Sequence, residues 1–411
     1  MVDATGRPGA VFVVSAVRTP IARLGGAFTD VPATALGAVA IRAAVERAGI
    51  PTEAIDDVYM GQVLQGGAGQ APARQAVLGA GLPERTSATT INRVCGSGLK
   101  AIMLAASAIK AGDADLVVAG GMESMSGAPY LLQRARFGYR LGNGQLVDST
   151  VADGLWCAVE GCHMGTHAER VAAHAGISRE DQDRFALESH RRALAAMDAG
   201  RFADELVPVP VRVGRDERLV TEDEGPRRDS TLEALGRLRP IFELPGGEDG
   251  RAAPTFGSVT AGNAPGITDG AAATVIASER AVERYGLKPL ARITGYSQAE
   301  VAPRWLFLAP VAGVRRLLER TGQTVDGFDL VEINEAFAAQ VLADGRELGL
   351  DLDRVNVNGG AIALGHPLGA RGARIVATLL HELRRRDGRS GLATLCLGGG
   401  GSVAMSFERV S

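Results

Sequence analysis

The sequence lacks most of the features that would place it outside the ordinary globular enzymes. Four cysteines in 411 residues are too few for a disulfide scaffold, and residues 1–10 carry no basic-then-apolar leader, so the expectation is a reduced, cytoplasmic protein. The net charge is only −3 and charged residues make up 22%, which excludes a disordered polar chain and leaves no global attraction to nucleic acid or an anionic membrane. An anionic ligand must be met locally. No Walker loop and no strand-linked Gly-x-Gly-x-x-Gly occurs, so nucleotide hydrolysis and dinucleotide redox chemistry have little support. The uncharged run 390–407 reaches about 18 residues, the lower limit for crossing a bilayer. Its glycines at 398–401 argue instead for two buried strands joined by a tight turn, because glycine costs a helix interior about 1 kcal/mol per residue.

What the chain has in excess is glycine, 54 residues, roughly twice the usual share. Together with alanine it implies backbones that pack closely. At about 150 residues per domain the length predicts two or three domains. The apolar run 11–14, ending in Arg-Thr-Pro, reads as a buried strand, and helical spacing over 35–48 stops at Gly49. Residues 58–63 are strand-like, 91–95 lead through Gly-Ser-Gly into a helix over 99–109, and 115–119 form a strand closing on Gly120-Gly121. The same order returns as strand 292–295, helix 311–320, strand 330–333, a glycine-rich turn 358–369, helix 373–383 and strand 392–397. This internal duplication implies parallel strands covered by helices in layers. Between the repeats, residues of about 126–256 are richer in Arg, Asp, Glu, Pro and Gly, with one strong helix at 179–197 and a loose stretch at 244–255. They read as an inserted, partly surface-lying subdomain.

Cys95 precedes Gly-Ser-Gly at a helix start, where backbone amides favour negative charge. That placement predicts a lowered pKa and an exposed nucleophile, with a small buried cysteine as the equal alternative. His366 occupies the matching turn of the second repeat, within Gly-His-Pro-Leu-Gly, either as a general base facing Cys95 or as a structural histidine. Cys396 ends a buried strand before four glycines, where amides can converge on an oxyanion; a core cysteine is the other reading. Asn334 either orients a water or a histidine, or caps a helix beginning at Glu335. Cys157, Cys162, His163 and His167 lie close in sequence, yet their spacing matches no familiar zinc motif and no metal is expected.

These segments together resemble the thiolases of the acetyl-CoA acetyltransferase type over nearly the whole length. The resemblance rests on Cys95-Gly-Ser-Gly98, the run from Asn356 to Gly369 around His366, and Cys396-Leu-Gly-Gly-Gly400, with Gly120–Ser126 and Asn334-Glu-Ala-Phe337 in support. It implies an α/β thiolase fold: two duplicated βαβαβ-type halves, 1–280 and 281–411, forming a layered αβαβα sandwich with the loop subdomain inserted in the first. By the same resemblance Cys95 takes the acyl group of acyl-CoA with help from His366, and Cys396 removes an α-proton from a second acetyl-CoA. His366 and a water on Asn334 bind the enolate oxygen, while the amides of Cys95 and Gly398 bind the tetrahedral oxyanion. Coenzyme A contacts carry over to Leu155, His163, Met164, Arg227, Phe242, Ala261 and Ala264. Coenzyme A and acyl-CoA are substrates, no cofactor is permanently bound, and a homo-oligomer, a tetramer or a dimer, is implied. The alternative is a 3-ketoacyl-CoA thiolase of broader chain length. The chain departs from the family pattern at Pro265, His167, Arg371, Ser402 and 306–310, where Phe307 is expected to reshape the acyl pocket, and 244–255 add roughly ten residues.

Overall fold

Strands buried on both faces need two apolar sides, and the sequence supplies them by alternation. The computed structural model describes residues 9–242 and 257–410, so the loose stretch expected at 244–255 lies outside them. The main sheet is built from β1 (Val11–Arg18), β2 (Asp57–Gly61), β3 (Ser87–Ile91), β4 (Leu116–Ser124), β5 (Thr268–Ser278), β6 (Ala291–Glu300), β7 (Leu330–Ile333), β8 (Ser390–Leu397) and β9 (Gly401–Arg409). Their order is β7-β8-β9-β6-β1-β5-β4-β2-β3. The halves meet where Phe12 lies opposite Arg292 and Val13 opposite Ala291.

The helices that matter are α1 (Ala33–Ala48), α2 (Ser97–Ala111), α3 (Met164–Ala175), α4 (Arg179–Asp198), α5 (Ala309–Thr321), α6 (Ala338–Leu348) and α7 (Arg371–Arg385). On one face of the first half, Leu116, Val118 and Met122 of β4 and Ala271, Ala273 and Val275 of β5 pack against Leu36, Ala40 and Ala44 of α1. The alternate residues Val117, Ala119, Ala272 and Ile276 face Leu99 and Ile102 of α2 and Ile375 and Leu379 of α7, a core that continues to Leu395, Val403 and Met405. Leu392 and Ala404, on the far face of the second half, meet Val314 and Leu317 of α5. The order is helix, sheet, helix, sheet, helix. α2 is apolar enough to pass for a membrane span, yet it is a core helix, packed against both halves of the chain.

Two expectations need correction. The sheet is mixed: β2 pairs in parallel with β3 and β4, and β7 with β8, but β5, β6 and β9 run antiparallel to their neighbours. β5 was not expected at all, because its Ala-rich sequence, buried almost throughout, shows no polar alternation. The intervening region also holds more order than expected. Besides α4 it contains α3 and the hairpins Tyr130–Leu132 with Leu146–Asp148 and Val209–Val213 with Asp216–Val220.

Candidate active site

β3 ends at Ile91 and the next residues turn the chain into α2. Val94 is held at φ +48°, a conformation a β-branched residue avoids. Its amide donates to Asn92 Oδ1 at 3.0 Å and its carbonyl accepts from Ser97 Oγ at 2.6 Å. Strain of this kind costs about 1–3 kcal/mol and persists only where the surroundings enforce it. Here it presents Cys95 at the turn. Gly96 lets the turn close on the end of β8, since a Cβ there would lie 2.3 Å from Leu397 Cδ2.

The amides of Cys95 and Gly398 lie near the Cys95 sulfur and favour its charged form. The expected lowering of its pKa does not occur. Burial pushes the thiol up to about 12, the Glu123 carboxylate adds to the rise, and the two amides and Arg371 offset only part of it. Desolvation therefore outweighs the helix dipole. Cys95 nevertheless keeps an exposed surface, so a ligand can reach it.

Cys396, on the face of β8 opposite Leu395 and Leu397, is buried against Phe307 and Phe337. Burial first, and the nearby Cys95 next, push its thiol well above the ordinary value. The two thiols share one site. The rings of Phe307 and Phe337 meet at 5.3 Å, in the same cluster as Cys396.

The turn carrying His366 is fastened by glycines and one carboxylate. A Cβ on Gly121 would lie 1.9 Å from Gly369 O, and one on Gly369 2.7 Å from Gln62 Cα. Glu123 Oε2 accepts from Gly369 N at 2.7 Å and Val63 N at 3.0 Å, and its Oε1 from Leu64 N at 3.0 Å. Leu368, in the same turn, packs with Cys95, Val63 and Met125. Burial, followed by the Arg371 and Arg374 cations, holds His366 well below its ordinary pKa. The ring is therefore neutral.

Asn334 caps no helix: α6 starts at Ala338 with Phe337 as its N-cap. Instead Asn334 Oδ1 accepts from Arg371 Nε at 2.7 Å, and its Nδ2 lies 3.4 Å from His366 Nε2. Glu335 is structural, accepting from Ser189 Oγ, Asn356 Nδ2 and Ile362 N. Sequence reasoning missed three residues: Glu123, which ties the Cys95 and His366 regions together, Val94, and Arg371 as a neighbour of Asn334. A lone acid within an apolar strand was a readable signal for the first.

A cleft of about 460 Å³ runs to Gly365, next to His366, and is lined by Arg23, His190, Arg227, Ala261 and Ala264. Arg227 is exposed on its rim. Met164, Phe242 and Ala264 pack on the cluster that contains Cys396, which joins the cleft to the thiols. His163 is the N-cap of α3, its Nδ1 accepting from Gly165 N at 3.0 Å, and it stacks on Phe242 at 4.7 Å. His167 turns away to Cys162 Sγ at 3.4 Å, so these histidines do not share a helical face. Leu155 is half-buried beside Gly154, whose added Cβ would lie 3.0 Å from Leu368 Cδ1. Among the described residues no three His, Cys, Asp or Glu groups are placed to hold a metal.

A layered, duplicated sandwich with two thiols and an imidazole at its seam defines an acyl-transferring class of enzyme. Family models agree: the thiolase N-terminal domain matches residues 11–280 and the thiolase C-terminal domain residues 287–409. The chain belongs to the thiolase family. It is 52% identical over 400 residues to an acetyl-CoA acetyltransferase of Escherichia coli K12, covering 97% of this chain and 99% of that one. It is 51% identical over 401 residues to an acetyl-CoA acetyltransferase of Cupriavidus necator, with the same coverage. Among solved structures, the Bacillus anthracis acetyl-CoA acetyltransferase and the human mitochondrial 3-ketoacyl-CoA thiolase each superpose with a TM-score of 0.93 at 42% identity, over 98% of this chain and 99% of theirs.

Proposed function

We propose that this chain is an acetyl-CoA C-acetyltransferase, joining two acetyl-CoA molecules reversibly into acetoacetyl-CoA and free coenzyme A. The observation that carries the reading is the meeting of two thiols from distant parts of the chain, Cys95 under the Gly398 amide and Cys396 beside it. Cys95 sulfur attacks the first acetyl-CoA while its proton passes to neutral His366, and the departing coenzyme A thiolate takes the proton of Cys396, leaving acetyl-Cys95 and a Cys396 thiolate. The Cys396 thiolate takes the α-proton of the second acetyl-CoA, the enolate carbon attacks the Cys95 thioester, and the carbonyl–sulfur bond breaks so that Cys95 leaves with the proton held by His366. Asn334 and His366 face the enolate oxygen, and the Cys95 and Gly398 amides receive the tetrahedral oxyanion.

Coenzyme A is assigned to the cleft, with its charged end toward Arg227 and its arm past Ala261 and Ala264 toward Met164, Phe242, His163 and Leu155. The crowding of Phe307 and Phe337 against Cys396 favours short acyl groups over the broader chain length of a 3-ketoacyl-CoA thiolase. Four free thiols support a reducing compartment, the cytoplasm, and acetyl-CoA as substrate supports a place in lipid metabolism. A homotetramer is supported by two separate surfaces: the sheet edge at β3 and the exposed apolar hairpin with Phe137, Leu141 and Leu146. The test is peptide mapping after incubation with acetyl-CoA. One acetyl group is expected on Cys95, and Cys396→Ala is expected to keep that acylation while losing condensation. Acetylation elsewhere, or condensation by Cys396→Ala at the wild-type rate, would falsify the reading.

A further inference from the structure

Arg371 stands in a place where electrostatics alone would not put it. It is the first residue of α7, whose first turn holds no acid, and a cation at a helix N-terminus faces the positive end of the dipole. It is also fully buried, where an incompletely paired charge is costly. The side chain has two fixed partners on different elements. Its Nε donates to Asn334 Oδ1 at 2.7 Å, just past β7, and its Nη1 to Gly365 O at 3.0 Å, one residue before His366. Its Nη2 finds no partner among the described residues. A planar guanidinium meets the two oxygens with a fixed fork of donors, which the rotatable point charge of an ammonium does not reproduce.

We propose that Arg371 is a positioning residue for the reaction, locking the Asn334 amide so that its NH2 faces His366 and holding a fixed positive charge over His366 and Cys95. Because Oδ1 is claimed by the guanidinium, Nδ2 is the atom turned to the imidazole, 3.4 Å from Nε2. An amide donor there requires an unprotonated Nε2, which sets the tautomer of the neutral ring. The charge acts on both neighbours in one direction, lowering the pKa of His366 and of Cys95. The other charged groups around the pair are Arg374 on α7, Glu332 and Glu335 facing the two arginines, and Glu123 on the Cys95 side.

This inference rests on the proposed function for its turnover arm only, so the test has two arms. In the first, Arg371→Lys keeps the charge and loses the fork: kcat for acetoacetyl-CoA thiolysis is expected to fall about tenfold, near 1.4 kcal/mol, with KM changed by less than about twofold. In an Asn334→Ala background the same substitution is expected to cost little more, because the two act as a unit. In the second arm, alkylation of Cys95 by iodoacetamide is followed against pH by peptide mass. Arg371→Ser is expected to shift that profile to higher pH, and Arg371→Lys to leave it in place. Additive losses in the double variant, or a profile that Arg371→Ser does not move, would overturn the proposal. A wild-type protein that does not turn over acetoacetyl-CoA would sink the functional reading instead, and the alkylation arm would still decide the role of Arg371. Melting curves of each variant separate loss of fold from loss of function.

Discussion

Glu123 shows how one side chain couples folding to the site. Its carboxyl is raised from 4.5 to about 7, by burial first, although three backbone amides favour its charged form. The folded protein therefore binds this proton more tightly than the unfolded chain does. The resulting stability is complete below the unfolded value and is lost as pH rises through about 7, a contribution on the order of 3 kcal/mol. Glu123→Gln abolishes the titration and sets an NH2 among N–H donors, so it is destabilising at every pH. In urea unfolding the gap between wild type and Glu123→Gln is expected to be wider near pH 5 than near pH 8, by roughly that amount. A gap that does not vary would mean that the carboxyl ionises as an ordinary glutamate. Cys95 teaches the complementary lesson. Its position at a helix start was legible in the sequence, but the sign of its pKa shift was not, because how much protein surrounds a sulfur depends on residues as distant as Gly398.

At the scale of elements, the legible parts were those with local signals. The glycine after α1 marks its end, the Gly398–Gly401 turn separates two buried strands as expected, and α7 shows an apolar face at helical spacing. β5 escaped because it is apolar on both faces, and α3 because its polar surface resembles that of a loop region. Close approach of elements is carried by glycines whose role cannot be read one at a time. Gly121 is the clearest case. Gly121→Ala is expected to cost about 3 kcal/mol and to slow Cys95 acylation, because the new methyl meets Gly369 O in the turn that holds His366. Gly236→Ala, where a Cβ meets nothing within 4 Å, is the control and is expected to stay within about 0.5 kcal/mol. Equal melting curves for the two variants would contradict this packing.

For the molecule as a whole, the sheet ends at β3, a five-residue edge with unpaired amides and carbonyls. The hairpin Tyr130–Leu132 with Leu146–Asp148 leaves Leu141 99% and Phe137 84% exposed at its tip, apolar surface of the kind that marks an interaction site. Light scattering on the purified protein is expected to give a mass of several chains. Charging the hairpin with Phe137→Glu and Leu141→Glu is expected to reduce that number without unfolding the subunit. A monomeric wild type would refute the tetramer.

The middle layer carries a consequence of its own. α2 comes from the first repeat and α7 from the second, and each fills the groove left by the other: a Cβ on Gly98 would lie 2.8 Å from Ala373 N, and one on Gly372 2.2 Å from Leu99 N. Either repeat made by itself would present an uncovered apolar wall to water. A protein built from a single repeat would need a twin to shield that wall, as α2 and α7 shield each other in this chain.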